Sequence, residues 1–311
     1  MQTILGAGGV IAHSLQHQLL SQNIPLRLVR RQAGPAPAGA ESRSADLLNA
    51  QAVAEAVAGS EVVYLTPGLT YNARLWAEQW PKVMQNTIQA CEKAGAKLVF
   101  FDNVYAYGLV DGPMTEATPY NPCSKKGEVR AHIARMVHDR MGRGLDAMIV
   151  RAADFYGPHN KNSFAHVMVF ERLAAGKGGQ LLVADQVPHV FSYTPDAGAA
   201  TALLGNTPSA YNQVWHLPAP EIAITGKELV EIAAAALGVK AKYQVVGKGM
   251  LKMLGWFIPV LRENQEMLYQ FEKPYLFNSD KFKAAFPDFH VTTYAEGAAA
   301  VAKSLQRSAV S

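Results

Sequence analysis

Two glycines three residues apart, Gly6 and Gly9, follow the short apolar run Thr3-Ile4-Leu5, and a small residue, Ala12, stands three positions further on. Residue types at this spacing bind phosphate. Glycine at 6 permits a tight strand-to-helix turn, glycine at 9 lets the main chain approach a pyrophosphate, and alanine at 12 lets the helix pack close to the strand. The phosphate then sits on free N–H groups at the helix N-terminus. A second chemical signal is Arg30-Arg31, twenty-four residues beyond Gly6, near the spacing of ~20 at which such a unit meets the adenosine ribose. A carboxylate there bonds the 2′-hydroxyl, whereas arginine accepts a 2′-phosphate bidentately. The pair favours NADP; NAD is the alternative if the two arginines are only solvated surface.

These residues need a strand-helix-strand unit to place them. An apolar face at Leu15, Leu19 and Leu20 predicts a helix over 14–21, and residues 25–29 predict a second strand ending at Arg30. The alternation then continues, with a small helix over 50–58, a buried-type strand over 61–65, a helix over 80–94, and strands over 97–101 and 146–150. Residues 33–40, with their glycine and prolines, read as a loop at the adenosine end. This order predicts a doubly wound parallel α/β sheet of Rossmann type, with ligands beyond the carboxyl ends of its strands. From about residue 157 the rhythm loosens into short strands at 180–183, 214–217 and 242–246 around a helix over 226–237. The expected domains are a dinucleotide-binding domain, 1–157 with part of 185–218, and a smaller interleaved C-terminal substrate lobe, roughly 158–184 and 219–311.

Composition narrows the function classes. With 311 residues, 49% of them hydrophobic and 17% charged, the chain has the means to bury a large core. A net charge of +4 from scattered basic residues implies no nucleic-acid partner. Two cysteines, Cys91 and Cys123, make neither a disulfide framework nor a metal cluster, so a reducing compartment, the cytoplasm, is expected. The first residues read as strand rather than as a secretory leader. The apolar stretch 249–261 is too short to span a bilayer and is interrupted by Lys252 and Pro259. The expectation there is a helix over a substrate cleft or a dimer contact, and no membrane partner.

The chain resembles the extended, here atypical, short-chain dehydrogenase/reductase superfamily, which includes NAD-dependent epimerases and dehydratases. The resemblance runs over nearly the whole length. It rests on Gly6-x-x-Gly9-x-x-Ala12, Asp46-Leu47, Asn86, Tyr107-Gly108, Arg151-x-x-x-Phe155-Tyr156-Gly157-Pro158, the segment His189 to Asp196, and Lys273-Pro274-Tyr275-Leu276-Phe277-Asn278. It implies cofactor contacts at Gly6, Gly8, Gly9, Val10, Ile11, Arg30, Arg31, Asp46, Leu47, Thr66, Asn86, Arg130 and Tyr156.

The departures are equally informative. The superfamily's chemistry uses a Ser or Thr four residues before the Tyr-Gly tyrosine, then a Tyr-x-x-x-Lys helix; tyrosinate is the acid/base, lysine lowers its pKa, and the hydroxyl orients the carbonyl. Here Asn103 stands four before Tyr107, and in the segment Pro122-Cys123-Ser124-Lys125-Lys126-Gly127-Glu128-Val129-Arg130 the tyrosine position falls on Lys126 and the lysine position on Arg130. Arginine is no base at neutral pH. It can bond ribose hydroxyls, while Lys126 serves as acid/base only if its environment lowers its pKa from ~10.4. Asn103 can still donate to a carbonyl oxygen. The competing reading makes Lys125, Lys126 and Arg130 the solvated basic face of a helix over 127–141. Tyr105 or Tyr120 as a migrated phenol, Asp102, and His159 or His189 as substrate-binding groups are further candidates.

The expected activity is an NADP(H)-dependent oxidoreductase, or an epimerase/dehydratase working by hydride transfer, on a small carbonyl, alcohol or sugar-nucleotide substrate. The alternative is a non-catalytic NADP-binding redox sensor. The resemblance also implies a possible homodimer through the helix over 127–141, and the near-helical spacing of Val129, Ile133 and Met136 is compatible with such a seam and with core packing equally.

Overall fold

The computed structural model describes residues 1–310, which form two compact units. The first comprises Met1–Gly108, Pro119–Arg151 and Ala197–Leu217, and the second Leu109–Thr118, Ala152–Asp196 and the described residues from Pro218 onward.

The first unit is built on strands β1 (Gln2–Leu5), β2 (Leu26–Arg30), β3 (Ala40–Ser44), β4 (Val62–Leu65), β5 (Lys97–Asp102) and β6 (Ala147–Arg151). Its helices are α1 (Val10–Ser21), α2 (Ala50–Val57), α3 (Ala73–Ala94) and α4 (Lys125–His138). In the second unit lie β7 (Asp154–Tyr156), α5 (Glu171–Ala174), β8 (Gly179–Leu182) and β9 (Phe191–Tyr193). The chain then enters α6 (Thr194–Gly205) and β10 (Val214–His216), which complete the first unit. The rest of the second unit is α7 (Gly226–Leu237), β11 (Tyr243–Val246), α8 (Lys248–Gly255), α9 (Pro259–Asn264), α10 (Asp280–Ala285) and α11 (Tyr294–Val310).

The first unit's sheet has seven strands in the order β10-β6-β5-β4-β1-β2-β3, every neighbouring pair parallel. Its inner strands are buried on both faces, which explains their near-continuous apolar sequence. Because all strands point one way, the carboxyl ends of β1, β4 and β5 lie side by side on one edge, and the residues that follow them, Gly6, Thr66 and Asn103, share it.

Several elements differ from the sequence reading. Residues 40–44 form edge strand β3 on β2, although Glu41-Ser42-Arg43-Ser44 has no apolar alternation; an edge strand needs only backbone bonds on one side, and Arg27 ties it down by pairing with Glu41 at 2.5 Å. Helix α1 begins at Val10, directly after the glycines, rather than at 14. Helix α3 begins at Ala73, where Asn72 Oδ1 accepts from Leu75 N at 3.0 Å, and runs through Pro81 instead of starting beside it. The lost backbone bond is offset by burial of Trp76 and Trp80 one turn apart. Helix α4 starts two residues before 127, capped by Ser124 Oγ, which accepts from Gly127 N at 3.0 Å.

Val129 and Ile133 are buried in the first unit's own core and Met136 packs against it, so the residues read as a dimer seam are already covered within the chain. No described helix is long and apolar enough to cross a membrane.

Candidate functional site

The turn after β1 has the conformation that its residues predict. Gly6 has φ +86°, and a Cβ there would lie 2.5 Å from Pro67 Cα, so the position needs glycine for both backbone angle and space. Gly8 and Gly9 are exposed, and a Cβ on either would meet nothing within 4 Å. No side chain caps α1 at Gly9, and its first turn carries no acid. This is a cradle of uncapped helix-start amides under open space, at the positive end of a helix, and it fits the pyrophosphate of a dinucleotide. Val10 and Ile11 supply the first two helical amides.

Arg30 is the last residue of β2 rather than the first after it. Its side chain folds back over the turn, with Nε donating to the Ala7 carbonyl at 3.1 Å and the two terminal nitrogens left over. Arg31 is exposed beside it. Asp46 is exposed and its Oδ1 accepts from Leu48 N at 3.0 Å; the Leu47 carbonyl accepts from Asn86 Nδ2 at 2.9 Å, which ties the loop after β3 to α3. Thr66 Oγ1 donates to the Leu5 carbonyl at 3.2 Å, so it braces the end of β1.

At the end of β5 the structure gathers most of the remaining candidates. Asn103 Oδ1 accepts from Tyr105 N at 3.0 Å, which fixes the amide and leaves its NH₂ as the group that can donate. The turn at Tyr105–Tyr107 abuts the start of α4 so closely that a Cβ on Gly127 would sit 2.6 Å from the Tyr105 carbonyl oxygen. That contact brings the first turn of α4 against the sheet edge. Lys126, fully buried, lies with Nζ 4.5 Å from the centre of the Tyr71 ring. Tyr71 meets Trp76 edge-on at 5.5 Å, and Trp76 stacks on Tyr105 at 6.5 Å. Lys125 is exposed. The solvated-face reading therefore holds for Lys125 alone, and Lys126 and Arg130 point inward.

Arg130 is committed to Asp102. Its Nε donates to Oδ1 at 2.7 Å and Nη2 makes a second, shorter bond to the same oxygen, while the guanidinium lies 4.6 Å from the Trp80 ring and 5.0 Å from Phe100. Nη1 is what remains for a ribose. The other carboxylate oxygen accepts from Arg151 Nε at 3.0 Å, so one buried aspartate holds two buried arginines. Arg151 Nη2 donates to the Tyr120 hydroxyl at 2.5 Å, and its Nη1 makes no hydrogen bond among the described residues. Burial works against the Arg151 charge, but the Asp102 carboxylate holds it above the ordinary arginine range. Tyr120 also bonds His138 Nε2 at 2.8 Å, and Tyr107 bonds His216 Nε2 at 2.7 Å. Burial pushes the Tyr107 phenol up to about 12 and raises Tyr120 as well, which makes neither a tyrosinate at neutral pH.

Sequence reasoning missed the aromatic wall of Tyr71, Trp76 and Trp80 and the role of Asp102 as the shared anchor. The signal was available in the Trp76 and Trp80 spacing of four, which puts both rings on one helix face.

Some candidates belong to the second unit. Tyr156 fills that unit's core between Tyr193 and Tyr294, and its hydroxyl donates to the Thr293 carbonyl at 3.4 Å. Its phenol, expected on the cofactor, is thus occupied inside the unit. His189 stacks on Tyr275 at 4.2 Å and its Nε2 lies 3.1 Å from Asp154 Oδ2; His159 is exposed at φ +58°. Cys91 is buried, with its thiol pushed well above the usual range by burial, and Cys123 is exposed. No group of three or more His, Cys, Asp or Glu among the described residues could hold a metal ion.

A parallel sheet with an open glycine turn after its first strand defines a dinucleotide-binding protein of the Rossmann type. The model of the NAD dependent epimerase/dehydratase family matches residues 3–199, and the chain belongs to that family of NAD(P)-dependent enzymes. No curated protein sequence matches it. Among solved structures it is similar to UDP-glucose 4-epimerase of Thermus thermophilus in complex with NAD, at 18% identity over 98% of this chain and 99% of that one, TM-score 0.77. It is also similar to MoeE5 in complex with UDP-glucose and NAD, at 19% identity over 99% of both chains, TM-score 0.79. The dTDP-glucose 4,6-dehydratase DesIV of Streptomyces venezuelae is a third, at 18% identity over 98% of this chain and 97% of that one, TM-score 0.77. At these identities the likeness is one of fold.

Proposed function

We propose that this protein is an NADP(H)-dependent oxidoreductase or epimerase/dehydratase, acting by hydride transfer on a small carbonyl, alcohol or sugar-nucleotide substrate, in which Lys126 does the work of the usual tyrosine. The observation that carries this reading is Lys126 itself, a wholly buried amine at the first turn of α4, facing an aromatic wall beside the sheet edge that also bears Gly6 and Asn103.

When bound, the cofactor would give up a hydride in a reduction, or take one and return it in an epimerisation or dehydration. The chain's own residues do the rest. Amides at Gly9, Val10 and Ile11 and the α1 dipole hold the pyrophosphate; Arg30 takes the 2′-phosphate through its terminal nitrogens, with Arg31 beside it. Asp46 and the Leu47 segment border the adenine, and Thr66 and Asn86 keep the neighbouring loops in place. The Asn103 NH₂ donates to the substrate oxygen and Lys126 Nζ gives or takes the proton there, while Tyr71, Trp76 and Tyr105 exclude water. Arg130, pinned by Asp102, offers Nη1 to the ribose.

NADP is the favoured cofactor because nothing acidic stands at the end of β2. Titration of NADPH and NADH against wild type and Arg30→Asp tests this. Wild type is expected to bind NADPH more tightly by at least about tenfold, and Arg30→Asp to reverse the order, as one charge-assisted bidentate contact is lost and a repulsion gained. A wild type that prefers NADH, or a variant with the preference intact, refutes the assignment of Arg30.

A further inference from the structure

The second unit holds a cleft of about 360 Å³, solvent at its mouth included, between β8, the segment leading into β9 and the first turn of α7. Phe164, Leu181, Leu182, Val187, Leu229 and Phe271 form most of its wall, and no lysine or arginine among the described residues lines it. The one polar side chain among those lining residues is His189, 4% exposed. Its imidazole stacks on Tyr275, Phe191 and Phe271 at 4.2, 4.5 and 5.5 Å. Its Nε2 donates to the Asp154 carboxylate at 3.1 Å, so the ring serves the cleft as one more aromatic surface.

Two backbone irregularities shape this wall. Val183 has φ +66°, a left-handed conformation that strains a β-branched residue, and Ala184 N closes the turn on the Leu182 carbonyl at 2.7 Å. The turn packs Val183 against the cluster of Val246, Leu251 and Leu268 and leaves Ala184 in the cleft wall. Phe164 enters at the start of a wide π turn over Ala165–Phe170. Both features cost stability, and both recur where proteins hold ligands. The cations on the elements that supply the wall are engaged elsewhere or face water. Arg172 donates to the Gly178 carbonyl at 2.8 Å, Lys227 pairs with Glu231 at 3.9 Å, and Lys161, Lys177 and Lys273 are exposed. The same segments carry the carboxylates of Asp154, Glu171, Asp185, Glu228, Glu266 and Glu272. A diphosphate needs charge-assisted donors aimed at it, and this lining offers no arginine or lysine for the purpose.

We infer that this cleft takes an uncharged apolar group the size of a single ring, and that the substrate is an aryl or branched-alkyl carbonyl or alcohol rather than a sugar nucleotide. An apolar cavity holds water poorly and gains from an apolar group that fills it. Aromatic walls add a preference for a ring in edge-on or offset contact. The inference rests on the proposed function in one respect, that the compound bound here is the substrate; the occupant of the cleft is argued from its lining alone.

The test is fluorine NMR of 4-fluoroacetophenone with the full chain, without cofactor, and with UDP-glucose as competitor. The ketone is expected to bind saturably, with a Kd on the order of 1 mM or tighter, and UDP-glucose to leave it in place. Ala184→Phe and Val187→Phe, both at half-buried positions of the wall, fill the cleft. Each should weaken binding by at least about tenfold, as the buried ring loses its place, and an unchanged denaturation midpoint confirms the fold. Photolysis of 4-azidoacetophenone on the wild type locates the site without any variant, and its label is expected within 181–191 or 226–229. Absence of saturable binding, displacement by UDP-glucose, undiminished binding by both filled variants, or label confined to other segments overturns the inference. Turnover of a sugar nucleotide without ketone binding also overturns it and leaves hydride transfer standing. Ketone binding that the filled variants lose, with no turnover of any compound, upholds the occupant of the cleft and refutes the proposed function instead.

Discussion

Replacing Asp102 by alanine tests whether the network under the site is one electrostatic unit. Asp102 accepts two bonds from Arg130 and one from Arg151, and the two arginines are 4% and 0% exposed. Its removal strands two buried cations at once. Breaking a buried pair from one side costs about 3–5 kcal/mol, most of it the penalty of the charge left behind. The rings of Trp80 and Phe100 over Arg130, and of Tyr107 and Tyr120 over Arg151, keep some attraction for the cations and hold the loss to that range. Urea denaturation followed by the emission of Trp76, Trp80 and Trp215, all in the first unit, measures it, and at about 2–4 °C per kcal/mol the melting temperature should fall by roughly 10 °C. Adding Arg151→Met to Asp102→Ala removes one stranded cation and should recover part of the loss. A single variant within about 1 kcal/mol of wild type, or a double variant that simply adds two losses, refutes the reasoning.

The glycine turn makes a paired prediction. Gly6→Ala meets Pro67 and an unfavourable φ, and should destabilise the protein by about 1–3 kcal/mol or more, whereas Gly9→Ala has open space and should leave the urea midpoint unchanged while NADPH affinity falls. Equal stability of the two variants would undo the account of the turn. His138 and His166 both have pKa values lowered first of all by burial. The unfolded chain therefore binds more protons than the folded one just below the unfolded histidine pKa of about 6.5, and stability from these groups is lost as pH falls through that window. Thermal melting from about pH 7.5 to 5.5 should show a decline that is smaller in His138→Asn; a decline of the same size in the variant would remove His138 from the explanation.

The parts of this fold that were readable in the sequence are those where one local rule acts alone. The run of buried-type strands, the glycine turn and the helix at Gly226–Leu237 each follow from periodicity or from a backbone requirement. Strand β3 was not readable, because its order comes from pairing with β2 and from Arg27 rather than from its own polar residues. The early start of α3 was hidden by Pro81, whose local cost is outweighed by the burial of two tryptophans. At the site, Lys126 and Arg130 stand out through the family resemblance, at the positions of its Tyr-x-x-x-Lys pair, but whether they face water or protein depends on Gly127 letting α4 close on the Tyr105 carbonyl, a contact twenty-two residues apart in sequence. The Asp102 anchor was legible only as a candidate, since its two partners come from α4 and β6.

The most direct measurement is steady-state reduction of a panel of carbonyl compounds with NADPH by wild type and Lys126→Met, with the NADPH dissociation constant of each determined alongside. Methionine keeps the buried volume and removes the proton-bearing amine. Wild type is predicted to turn over, and the variant to lose about 10²-fold or more in kcat, the scale of a general acid or base, with NADPH affinity unchanged. Equal kcat in the two proteins would contradict the assignment of Lys126; so would tight cofactor binding by the wild type with neither net reduction of any carbonyl compound nor epimerisation or dehydration of any sugar nucleotide, a result that would make the protein a sensor of its cofactor.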